Sequence, residues 1–263
     1  MGRWAGVPTC QSLWRPGTAA PPSLVFMNPL SFNAKRKTKN EKRSLLLALD
    51  TSTEKGSLAL AEGDRLLGEY FLDCPGTYLQ HLLPAVEELF QASGRTLPDL
   101  GAITVSQGPG NFTGLRIGLA TAKGLAWALG CPLVAVPTLE SLAAQVPFQP
   151  RAIAVLMDAK RQEVYLGLYK CPGEWPTTQG EPQRLPVSAL PSLLQPPLLL
   201  TGPGLEAYAD FLKQHLPPEI AWAPPELRHP QAATIARLGR LRLERGLAVA
   251  PQQLTPTYLR PAL

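Results

Sequence analysis

Histidine and cysteine, the side chains that most often bind transition metals, are scarce in this sequence and follow no pattern. The three histidines (His81, His215, His229) lie far apart, and the four cysteines (Cys10, Cys74, Cys131, Cys171) include no Cys-x-x-Cys pair. This excludes the usual zinc, haem-attachment and disulfide-framework layouts. A reducing, cytoplasmic compartment is expected, with the cysteines as ordinary structural residues. Long apolar runs are missing too. Leu45–Leu49 and Leu198–Leu200 are among the longest, far below the roughly 20 residues a membrane-spanning helix needs, so no membrane association is expected. What is present, 45% apolar and 17% charged residues over a length of 263, reads as a globular chain long enough for two lobes.

The charge is unevenly placed. A net charge of +5 suggests a nucleic-acid binder, but eight Lys or Arg fall in residues 1–43 (Arg3, Arg15, Lys35, Arg36, Lys37, Lys39, Lys42, Arg43) against one acid, Glu41. The rest of the chain holds 17 basic and 19 acidic residues, so its body offers no broad footprint for phosphates. Residues 1–43 are rich in Pro, Gly and Ser and lack any period. They read as a disordered extension or as the product of an upstream start, with Met27 as the alternative start. An RNA-contacting arm is the other reading. The prolines within 21–30 break any secretory apolar core.

From Ser44 onward the pattern is regular. Ser44–Asp50, Gly56–Ala61 and Arg65–Leu72 predict an antiparallel meander. A helix follows over 77–91, with Leu79, Leu82, Leu83, Val86, Leu89 and Phe90 at helical spacing, Pro84 inside it and Gly94 ending it. His81 reads as a partly exposed helical residue. Ala102–Ser106 predicts a strand, the turn from Gln107 leads into a helix ending at Gly130, and Pro132–Val136 predicts the next strand, a right-handed crossover unit. The second half restarts in the same way: Ala152–Asp158, a polar turn, then Glu163–Tyr169. LLLALDTSTEKGSLAL beside AIAVLMDAKRQEVYLGLY indicates a duplicated architecture. Residues 171–197 read as irregular. Leu198–Thr201 is a strand, Leu205–His215 and Ala232–Arg245 are helices, and Leu254–Pro261 is an extended tail. The expected fold class is α/β, of the ribonuclease-H or actin-like ATPase kind with two duplicated lobes, 44–150 and 151–263.

Two features carry chemistry. Gly108-Pro109-Gly110 before a helix start suits close backbone approach to an anion, with Asn111 or Thr113 as cap. A structural elbow is the alternative, since the segment is neither Gly-x-Gly-x-x-Gly nor a P-loop. Asp50 and Asp158 each close the first strand of a lobe. Asp50, Thr51 and Ser52 with Gly108 and Gly110 are the candidate nucleotide-binding set, and structural strand-end aspartates are the alternative. Gly114, Gly118, Ala122 and Ala126 recur every four residues, which permits unusually close packing. That stripe faces either the chain's own sheet or a helix of another subunit.

LALDTST at 47–53, SQGPGNFTGLRIGLATAKGLAWALG at 106–130, DAKRQEVY at 158–165 and PTYLR at 256–260 resemble the TsaB family of tRNA threonylcarbamoyladenosine biosynthesis proteins, over about residues 44–263. The resemblance implies an actin-like two-lobed fold and a non-catalytic role beside a catalytic paralogue, TsaD, and an ATPase, TsaE. It also implies that tRNA is met only through the complex, that the chain forms homodimers when alone, and that ATP or ADP belongs to the complex, with no cofactor for the isolated chain. The partner interface is expected on Leu82, Val86, Phe112, Gly114, Gly118, Ala122 and Ala126. TsaD-like sequences carry Asn-His-Leu-Glu-Gly-His where this chain reads Pro137-Thr138-Leu139-Glu140-Ser141-Leu142. Thr138 and Leu142 replace the two histidines, and leucine has no donor atom, so that metal site cannot form. The chain departs from TsaB relatives at Tyr78 and Leu79, where they often carry His-Ser. No catalytic or metal-ligating residue is therefore expected. An autonomous actin-fold ATPase or kinase built on Asp50 is the alternative. A metalloprotease, a reading sometimes attached to relatives of this fold, would need the metal that those histidines hold.

Overall fold

The computed structural model describes residues 45–73 and 76–259. The 1–43 extension, Cys10, Ser44, Cys74 and Arg260 lie outside the described residues. Strand β1 (Leu45–Asp50) is buried along its whole length. Leu45, Leu47 and Leu49 enter one core cluster while Leu46 and Ala48 enter another, the period-2 consequence of a sheet covered on both faces. β2 (Lys55–Glu62) and β3 (Arg65–Asp73) complete the meander, and helix α1 (Tyr78–Ser93) crosses to β4 (Leu100–Gly108). Helix α2 (Phe112–Leu129) then leads to β5 (Leu133–Pro137), giving the order β3-β2-β1-β4-β5 with β1, β4 and β5 parallel. Both helices stop at a glycine in the left-handed region, Gly94 at φ 65° and Gly130 at φ 64°. Pro84 does not interrupt α1; it sits on an exposed position of an unbroken 16-residue helix.

The second half repeats this plan. α3 (Thr138–Ala144), unanticipated from the sequence, leads into β6 (Gln149–Asp158) and β7 (Glu163–Cys171). The stretch expected to be irregular contains β8 (Thr177–Thr178), β9 (Gln183–Pro186) and the short α4 (Leu190–Leu193). β9 pairs with β7 and stands where β3 stands in the first lobe. After β10 (Leu198–Thr201), the predicted single helix is two pieces, α5 (Gly204–Ala207) and α6 (Ala209–His215), broken at Tyr208. β11 (Ala221–Trp222) completes the order β11-β10-β6-β7-β8. β6 thus pairs antiparallel with β7 and parallel with β10, as β1 does with β2 and β4. This twice-used topology is the actin-like fold.

The boundary near residue 150 separates the two sheets but not their helices. α7 (Ala232–Glu244), expected in the C-terminal lobe, packs on β1, β2, β4 and β5 of the first sheet. Gly239 makes that possible, because a Cβ there would collide with the Thr104 side chain. α3 in turn packs against β6 and β7 as well as α7. Two chain crossings therefore join the lobes, and the described residues contain no helix long and apolar enough to cross a membrane.

Candidate functional site

The geometry centres on the turn after β1. Asp50 is fully buried. Its Oδ1 accepts the Ser52 N–H at 2.6 Å, and its Oδ2 accepts the hydroxyls of Ser52 at 3.0 Å and Ser106 at 3.1 Å. Desolvation raises its pKa to about 6, against the opposing pull of those three donors. Asp158 repeats the same local bond, accepting the Lys160 N–H at 2.7 Å. The duplication therefore reaches down to one carboxylate–amide contact. Around Asp158 the balance differs. Burial pushes its pKa up, but hydrogen bonds from Lys160 and Tyr208 outweigh this and hold it below the ordinary value. Lys160 Nζ lies 3.0 Å from Asp158 and 3.9 Å from Glu54, an exposed link between the two lobes' turns.

The glycines of the next segment close on the first turn. A Cβ at Gly110 would strike the Ser52 carbonyl, one at Gly114 the Thr51 carbonyl, and one at Gly118 the Thr51 hydroxyl. Asn111 N–H donates to Ser52 O at 2.7 Å, and its side chain caps α2 by accepting the Gly114 N–H at 2.9 Å. Thr51 Oγ1 donates to Gly114 O at 2.7 Å, and Tyr78 OH to Thr53 O at 3.0 Å. Asp50, Thr51, Ser52 and Gly110 thus lie together at this turn, whereas Gly108 faces Thr257 and Leu115. The space at Gly110, Gly114 and Gly118 is filled by the Thr51–Ser52 turn, and the Asp50 carboxylate is buried.

The metal question has a similar answer. Thr138 and Leu142 are fully buried, Leu142 within the cluster beneath α3, and Thr138 Oγ1 has no hydrogen-bond partner. Leucine side-chain carbons occupy the position of one donor, so the residues present do not fit the paralogue's metal. Among the described residues no group of three or more His, Cys, Asp or Glu could hold one. The two described cysteines, Cys131 and Cys171, are unpaired and buried, and burial pushes the Cys131 thiol up to about 11.

The expected interface residues need correcting. Leu82 and Val86 are 1% and 3% exposed and belong to the core under the first sheet, as do Ala122 and Ala126. Gly114 and Gly118 face Thr51. The small-residue stripe packs inward, which leaves no room for a partner's helix there. Of the seven residues only Phe112 is exposed, at 49%. The outward faces carry different residues. Leu79 and Leu83, four apart on α1, are 77% and 52% exposed, and Trp127 near the end of α2 is 59% exposed. Between Phe112 and Trp127 the outer line of α2 runs through Arg116, Ala120 and Gly124, all exposed, and a Cβ at Gly124 would meet nothing within 4 Å. Helical spacing does not separate these residues, since 79, 82, 83 and 86 follow the i, i+3, i+4, i+7 pattern of one face; only the packing of α1 on the sheet leaves Leu79 and Leu83 outside.

Comparison with known proteins agrees with this architecture. Residues 76–260 match the family model described as TsaD: tRNA N6-adenosine threonylcarbamoyltransferase. The tRNA threonylcarbamoyladenosine biosynthesis protein TsaB of Escherichia coli (strain K12) is 32% identical over 82% of this chain and 94% of its own length. The TsaB of Bacillus subtilis (strain 168) is 39% identical, over 48% of this chain and 55% of its own length. Among solved structures, YeaZ from Pseudomonas aeruginosa superimposes with a TM-score of 0.71 at 32% identity, over 82% of this chain and all of that one.

Proposed function

This chain belongs to the TsaB family, and from that premise we propose that it serves tRNA threonylcarbamoyladenosine biosynthesis as a non-catalytic partner subunit. It pairs with a TsaD-like catalytic subunit, and a TsaE-like ATPase joins the assembly. Nucleotide belongs to the complex, tRNA is met only through it, and the chain works in the cytoplasm, as a homodimer when its partner is absent. The observation that carries the reading is the outer face of α1 and α2. Leu79, Leu83, Phe112 and Trp127 are left wet on two neighbouring helices, where burying one such side chain is worth about 2 kcal/mol. Gly124 adds support. A mid-helix glycine costs about 1 kcal/mol relative to alanine, and no internal contact requires this one. A helix approaching from outside would require it. The sealed Asp50 and the buried Leu142 favour a subunit that does no chemistry of its own.

Leu83→Asp tests the interface. The position is half exposed, so the monomer should lose only about 1–2 kcal/mol and stay folded. Binding to the TsaD-like protein of the same organism, followed by titration calorimetry, should weaken at least about tenfold. Unchanged binding would remove α1 from the interface. The autonomous ATPase alternative has its own check: magnesium-dependent ATP binding by the isolated chain, abolished in Asp50→Ala, would restore it.

A further inference from the structure

After α7 the described chain returns along the first lobe. Beyond α7, Val249 N–H donates to Leu133 O at 2.8 Å on the edge of β5, and Leu254 is buried in the first lobe's core. Residues 254–259 then run over the β4–α2 elbow as a strap. Lys123 Nζ donates to Leu254 O at 3.1 Å, Gln107 Nε2 to Thr255 O at 3.0 Å, and Thr257 N–H to Gln107 O at 2.8 Å. Gly108 has φ 112°, and a Cβ there would lie 2.6 Å from Thr257 O, so the elbow and the strap fit only with glycine. Tyr258 sets its ring 5.4 Å from Phe112, centroid to centroid, and its hydroxyl accepts from Arg116 Nε at 3.1 Å. The Arg116 guanidinium lies 3.7 Å over the same Phe112 ring. Leu259 packs against the second lobe's cluster around Leu142 and Met157.

Leu254 and Leu259 face apolar clusters of the two lobes at the two ends of the strap, with hydrogen bonds between them. Tyr258 does something else. The residue is 39% exposed, and its ring lies on Phe112, itself 49% exposed, on the first turn of α2. An aromatic–arginine stack left wet adds little to a core, but it restrains long side chains that would otherwise lose rotamer freedom on binding. We propose that Tyr258 is a positioning residue for partner docking: the seated strap fixes Phe112 and Arg116, so the α2 end of the face exists only when residues 254–259 are in place. This rests on the reading of α1 and α2 as the partner surface. It makes the strap a control point for assembly, and a ligand or partner that lifts residues 254–259 would weaken the complex.

The test uses the full chain as wild type, Tyr258→Ala, Tyr258→Phe and Leu83→Asp. Amide hydrogen exchange is read across the elbow and first turn of α2, and affinity for the TsaD-like protein is read by calorimetry. Tyr258→Ala should raise exchange at Phe112–Arg116 about tenfold while β1 and β6 stay protected, and should weaken binding about tenfold. Tyr258→Phe keeps the ring and should keep most of the affinity. Tyr258→Ala binding like wild type would overturn the proposal, as would loss of protection spreading into β1 and β6, which marks a purely structural role. Weakening by Leu83→Asp alone sinks the strap and leaves the partner reading standing. A wild-type chain that binds no partner removes both.

Discussion

Asp50 illustrates how a single buried carboxylate reads differently in sequence and in space. Its place at the end of β1 was legible, because a polar cluster after an apolar run marks a strand end. Its sealed state was not, because that depends on Ser106 arriving from 56 residues away. The raised pKa has a direct consequence. The folded chain holds the Asp50 proton more tightly than the unfolded chain does, so this group favours folding at low pH. That contribution fades as pH rises from the ordinary carboxylate value toward about 6. A shift of this size corresponds to about 3 kcal/mol. Urea midpoints of Asp50→Asn should therefore fall less than those of wild type between pH 4 and 7; parallel pH profiles would contradict the assignment. Gly118 and Gly124 make a second contrast. Spaced small residues reveal that something comes close, not what comes close. Gly118→Leu, which would test a subunit interface were the stripe outside, meets Thr51 inside the monomer and should destabilise it by 1–3 kcal/mol or more, measured by thermal unfolding. Gly124→Ala meets nothing and should stabilise the monomer by about 1 kcal/mol.

At the scale of elements, the meander, the crossover from β4 through α2 to β5 and both glycine stops were legible because period and punctuation agree along those segments. α3 was not, since seven residues give too few turns for a helical period to stand out from β5 before it. The break at Tyr208 was hidden as well. Its hydroxyl turns to Asp158 Oδ1 at 2.8 Å, a tertiary contact that local propensity does not register. α1 carries the functional lesson. All its leucines fit a helix, but only the packed sheet decides that Leu82 and Leu89 go inside while Leu79 and Leu83 stay in solvent. The apolar residues open to solvent are on the face that the sheet leaves over.

At the scale of the molecule, duplication was visible in two short stretches of sequence and extends to strand order, strand direction and the aspartate–amide contact at residues 50 and 158. The division into lobes was less legible, because α7 and the strap return to the first lobe after the second is built, and sequence adjacency gives no hint of a return. The result is a body whose strand-end carboxylate and glycine turn are turned to internal packing, with an apolar face left outside.

The most direct test of this account is light scattering on size-separated mixtures of the chain with the TsaD-like protein of the same organism. Leu83→Asp changes only an exposed position of α1. The account predicts a heterodimer peak formed by wild type at the expense of both free species, and no such peak with Leu83→Asp although that variant remains folded. A mixture in which wild type never leaves its own peak, with or without nucleotide, would contradict it.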